Sequence, residues 1–169
     1  MNKTLTVGLM GLLILSLPLA LVAQESKGVT LYKKGQYAEA ASALKVEVDK
    51  APSNQQALTY LGLARVRAGD ATGAKEPLTK ALSMNENNAE ARFGMGLVQL
   101  KLGKPDDGIT QLEKAVKLAP DHAYAHYYLG MALNQKGKKD LAVPHLRRFV
   151  ELAPEAPEAR AVRSFLERI

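Results

Sequence analysis

The sequence predicts an all-α chain in which helix-turn-helix units stack into a solenoid, and three columns of residues carry that prediction. Gly28, Gly62, Gly96 and Gly130 recur every 34 residues, as do Gly35, Gly69, Gly103 and Gly137, and as do Leu44, Leu78, Leu112 and Leu146. Independent columns at one period of this size mean repeated units that bury their apolar faces only against one another. In the first helix of a unit, the first glycine admits a close neighbour, and the second supplies the left-handed residue that closes the C-terminus. Ala40, Ala74, Gly108 and Ala142 each stand four residues before the leucine column. That is one turn, so a small and a large residue share a buried face of the second helix.

In chain order, residues 1–23 stand apart. Met1-Asn2-Lys3 is a short positive start, and Thr4 to Ala23 carries no charge, with "LMGLLILSLPLALV" at its centre. Pro18 breaks a helix shortly before small Ala23, the last position before a cut, which is the layout of a secretory signal peptide. An uncharged stretch of this length also spans a bilayer, so an uncleaved N-terminal anchor is the alternative. The chain is therefore expected to be exported, periplasmic or secreted, or else held at a membrane by that segment.

Residues 24–156 read as the repeat domain, with units at about 21–54, 55–88, 89–122 and 123–156. Pro52, Pro120 and Pro154 end second helices, Pro105 opens one, and Pro77 and Pro144 fall inside two others, where proline normally kinks. In residues 157–169, Ala161, Val162, Phe165, Leu166 and Ile169 form an apolar face opposite Glu158, Arg160, Arg163, Glu167 and Arg168. This is the capping helix that a stacked array needs to close its open end.

Composition narrows the chemistry. The 169 residues, 47% apolar and 24% charged, suit one domain with a buried core. Absence of cysteine excludes disulfides, thiolate metal sites and cysteine nucleophiles. There is no glycine-rich phosphate loop, no serine in a nucleophile elbow and no evident carboxylate pairing. His122 and His126 lie four residues apart, a metal-compatible spacing, but no Glu intervenes as in a His-Glu-x-x-His site. No metal, no cofactor and no catalysis are expected, with a metal-dependent enzyme as the weakest alternative.

These columns, an Ala followed four residues on by a large apolar residue and a terminal Pro, resemble the tetratricopeptide repeat. Departures are Leu58, Arg92 and His126 in the opening Trp column, Leu31, Arg65, Gln99 and Leu133 in the Tyr column, and Glu47 where later units carry Ala81 and Ala115. The resemblance implies a right-handed superhelix whose concave groove is lined by the first helices. The matching positions are Gln56, Thr59, Leu63, Val66 and Arg67, then Glu90, Phe93, Leu97, Leu100 and Lys101, then Tyr124, Tyr127, Met131, Asn134 and Gln135. Phe93, Leu97, Tyr127 and Met131 are expected to form one apolar patch across two units, suited to a peptide or helix. Family members that grip a C-terminal carboxylate use Lys, Asn and Arg where this chain has Glu25, Val29, Phe93 and Leu97, so that ligand is not expected.

The net charge of +6 is concentrated at the turns inside each unit: Lys33, Lys34, Arg67, Lys101, Lys104, Lys136, Lys138 and Lys139. Cations at helix C-termini offset the macrodipole; alternatively, this basic edge meets an acidic partner or anionic membrane surface. Aromatic residues are not interleaved with it, so nucleic acid is not expected. The function expected is a noncatalytic binding scaffold or adaptor in the cell envelope, with a protein or peptide partner. A membrane-tethered structural protein that self-associates is the alternative.

Overall fold

The computed structural model describes residues 26–168; the proposed signal peptide or anchor over residues 1–23 lies outside them, as does Ile169. Among the described residues there are nine helices and no strand. They run α1 (Lys27–Lys33), α2 (Tyr37–Lys50), α3 (Gln55–Arg67), α4 (Ala71–Met84), α5 (Ala89–Lys101), α6 (Pro105–Leu118), α7 (Ala123–Gln135), α8 (Lys139–Leu152) and α9 (Ala159–Leu166). None of them is long and apolar enough to cross a membrane.

Consecutive helices pair, α1 with α2 through α7 with α8, and each pair packs on the next. First helices also touch first helices, α1 on α3, α3 on α5 and α5 on α7, whereas second helices do not touch second helices. A stack whose pairs approach more closely on one side curves toward it, so the first helices form the inner face. α9 packs on α8 and covers Leu146 and Phe149 with Ala159 and Val162.

The two regular columns of the first helices have separate physical reasons. A Cβ on Gly62 would stand 2.3 Å from Leu78 Cγ, and one on Gly96 2.7 Å from Leu112 Cγ. The first glycine column and the leucine column are therefore one contact seen from two helices. Gly35, Gly69, Gly103 and Gly137 have φ of 77°, 99°, 73° and 75°. They reverse the chain after each first helix in a conformation that side chains resist.

Helix starts are fixed locally. Asn54, Asn88 and His122, again 34 residues apart, accept hydrogen bonds from the backbone N–H of Ala57, Ala91 and Ala125. Helix α4 continues through Pro77, which has no N–H to offer the carbonyl of Gly73. Arg65 Nη1 donates to that carbonyl at 2.7 Å instead. Arg65 thus supplies the hydrogen bond that the proline removes.

Candidate functional site

The inner face centres on Arg67, the last residue of α3. Its Nη2 donates to the phenol oxygen of Tyr37 at 3.0 Å and its Nη1 to that of Tyr128 at 2.8 Å. The guanidinium carbon lies 5.1 Å from the Tyr37 ring centroid and 5.8 Å from that of Tyr124. One side chain thereby ties α2 and α3 to α7, which begins two units after α3. Burial opposes the charge of Arg67, but the Tyr37 hydrogen bond and the surrounding phenols more than offset it, and its pKa lies above the ordinary arginine value. Tyr32 packs beside this group, its ring tilted against Tyr37 at 5.4 Å and edge-on to Tyr60 at 5.3 Å, and burial pushes its phenol pKa up.

Two hollows flank Tyr128. One, of about 270 Å³, is walled by Tyr37, Val66, Arg67, Leu97, Lys101 and Tyr128. The other, of about 680 Å³, lies between Leu100, Pro105, Tyr128, Met131, Asn134 and Gln135. A cationic, phenol-lined hollow and a more apolar one therefore share a single wall.

A family model described as tetratricopeptide repeat matches residues 26–89, 60–103 and 93–157. The chain belongs to the tetratricopeptide repeat family. The fold is a helical repeat solenoid of the kind that serves as a protein-interaction scaffold. Among solved structures, a crystal structure of MamA aligns with TM-score 0.65 over 84% of this chain and 83% of that one, at 24% identity. The structure named MamA MSR-1 C2 aligns with TM-score 0.57 over 75% and 73%, at 28% identity. MamA 41-end from Desulfovibrio magneticus RS-1 aligns with TM-score 0.62 over 77% and 73%, at 22% identity. A comparison with curated proteins returns no match.

The expected groove of this tetratricopeptide stack needs correction. Leu63 and Phe93 are buried in the main core and offer no open surface to a partner, and Leu97, also in that core, shows only the edge that walls the hollow beside Arg67. The ring of His122 lies 4.6 Å from that of Phe93, and Tyr128 lies at 5.9 Å. Thr59 and Val66 are buried as well. Tyr124 and Tyr127 are half-buried and lean on Phe149 at 5.8 and 4.9 Å, and Tyr124 also donates to Glu158 Oε2 at 3.2 Å. Met131, Lys101 and Gln135 remain open. The contiguous apolar patch from Phe93 to Met131 is therefore replaced by a mixed surface around Tyr128 and Arg67. Tyr128 escaped the sequence reading because it stands one residue after an inner-face position, although it shares its register with Tyr60. Tyr37 escaped because it opens a second helix.

The basic edge also divides. Lys33 and Lys101 end α1 and α5, and Lys34 and Lys136 cap α1 and α7, where the macrodipole favours cations. Lys104 and Lys138 instead cap the N-termini of α6 and α8, and Lys139 opens α8, so the dipole does not account for them. Asp106, Asp107 and Asp140 occupy the same first turns, and Lys136 Nζ meets Asp106 Oδ2 at 3.0 Å. The edge is of mixed sign, and Arg67 turns inward from it.

The histidines engage different partners from those their spacing suggested. His122 accepts from the N–H of Ala125 through Nδ1 at 3.1 Å, and its Nε2 stands 3.3 Å from Glu90 Oε1 without the alignment of a hydrogen bond. His126 Nε2 faces the Pro120 carbonyl at 3.1 Å and therefore carries the proton, which leaves Nδ1 as acceptor toward His145 Nδ1 at 3.0 Å. Burial lowers both pKa values; Arg148 and His122 add to the effect on His126, and His126 adds to it on His145. Among the described residues no group of three His, Cys, Asp or Glu could hold a metal.

Proposed function

We propose that this protein is a noncatalytic scaffold of the cell envelope that holds a peptide or helix of a partner protein on its inner face, at Lys101, Tyr128, Met131 and Gln135. The observation that carries the reading is the hollow beside exposed Met131, walled by a tyrosine whose hydroxyl is already held by Arg67. A side chain fixed before the partner arrives loses little rotamer freedom on binding. Tetratricopeptide family membership supports protein interaction as the activity. The uncharged segment ending at Ala23 supports export.

Crosslinking capture from the native envelope fraction tests the surface, with wild type run beside a folded Met131→Asp, Gln135→Ala variant. A partner captured by wild type and lost by the variant supports the assignment; equal capture by both removes the partner from this face. N-terminal mass determination on native material tests export. A mature chain beginning near Gln24 supports a cleaved signal, and an intact Met1 supports the membrane-tethered alternative.

A further inference from the structure

Resting on that reading, we infer that the partner segment carries an acidic side chain, seated between Arg67 and Lys101, with an apolar residue close to it in sequence for the Met131 hollow. Hydrogen-bond arithmetic carries the inference. A guanidinium has five N–H donors, and two of them meet the phenols of Tyr37 and Tyr128. Each phenol accepts that bond and still has its own O–H to donate. Lys101 brings three further N–H donors to the same hollow, whose remaining walls, Val66 and Leu97, are apolar side chains.

Among the described residues no carboxylate lies within ion-pair distance of Arg67. A half-buried, always-charged group is normally matched by an acid. Here the side chains round the hollow are rich in donors and supply no carboxylate. The ligand such a site recognises is an anion with several lone pairs, and a carboxylate fits the planar fork of Arg67.

Register strengthens the point. Lys33, Arg67 and Lys101 occupy the same position in three successive first helices, and the series ends at neutral Gln135. The inner face thus passes from cations to a polar and apolar end, and Tyr128 stands at the change. A short extended segment with Asp or Glu followed within a few residues by Leu, Ile, Met or Phe satisfies both hollows at once.

The test is selection from a random dodecapeptide display library on the immobilised full-length chain. Anisotropy titration of the selected peptides, made with amidated C-termini, then follows against wild type, Arg67→Lys, Arg67→Gln and Lys101→Gln. Enrichment of an acidic residue followed by an apolar one is the expected result. Arg67→Gln should weaken binding roughly tenfold or more, Arg67→Lys less, and Glu→Gln in the peptide should match the Arg67→Gln loss.

Thermal melts establish that each variant is folded, and Lys101→Gln, at an exposed site, keeps the test decisive if Arg67→Gln is not. Neutral peptides that lose affinity only in Met131→Asp overturn the acidic assignment and leave the inner-face reading standing. Peptides that bind only with a free terminal carboxylate overturn the side-chain source. Peptides indifferent to every inner-face variant, or a library that yields none, overturn both readings.

Discussion

Replacing Gly62 by Ala should destabilise the protein, although alanine is the better helix former by about 1 kcal/mol. The new methyl would stand 2.3 Å from Leu78 Cγ and 2.8 Å from its Cδ2, against the roughly 3.5–4.0 Å at which carbon atoms rest. The nearest atom is a branch point, and Leu78 is fully buried, so the side chain cannot swing clear into solvent. Overpacking of this kind costs typically about 1–3 kcal/mol, and a clash with a branch carbon belongs at the upper end. The net loss expected is about 1–2 kcal/mol, or a fall in melting temperature of roughly 2–8 °C. Leu78→Ala alone should cost about 2–5 kcal/mol through the void it leaves. In the double variant the methyl introduced by Gly62→Ala enters that void. Its total loss should therefore fall short of the sum of the single losses by about 1 kcal/mol or more. Urea denaturation followed by circular dichroism measures all three. Equal or greater stability for Gly62→Ala, or strict additivity in the double variant, would refute the pairing of the glycine and leucine columns.

Other predictions follow from single contacts. Asn88→Ala should lose more stability than Asn54→Ala, by about 1 kcal/mol, because both asparagines cap helices but Asn88 Nδ2 also donates to buried Thr59 Oγ1 at 2.9 Å; urea midpoints of the two variants give the comparison. Arg65→Ala should destabilise by about 1–2 kcal/mol, and by less in a Pro77→Ala background, where the restored N–H can serve the Gly73 carbonyl; a double-mutant cycle reads the difference. The folded-state pKa values of His126 and His145 are both lowered from about 6.5, so the fold favours their neutral forms. The stability they confer is full above pH 6.5 and is lost as pH falls through that value toward the lowered ones. The urea midpoint should therefore drop between pH 7.5 and pH 5, and drop less in His145→Gln. An equal drop in both proteins would remove the pair as the cause.

Fold and site were legible to different degrees because they depend on contacts of different range. The solenoid was readable because Gly62 meets Leu78 and Gly96 meets Leu112 inside one unit, so each contact repeats wherever the unit repeats. The carbonyl freed by Pro77 was also predictable in principle, four residues earlier, but its donor was not, since Arg65 stands on the preceding helix. Exposure on the inner face is set between units. Leu63, Leu97 and Met131 occupy one register 34 residues apart, yet their exposure rises from 0% to 5% to 43% along the stack. Leu63 and Leu97 each have a further first helix packed after their own, α5 and α7 respectively, whereas among the described residues no further first helix packs on α7, and α9 packs on α8. A pattern that treats every unit alike assigns these three residues the same role. Their place in the stack gives the first two to the core and leaves the third exposed. Along this register the inner face is therefore open at α7, where Gln135 is exposed as well.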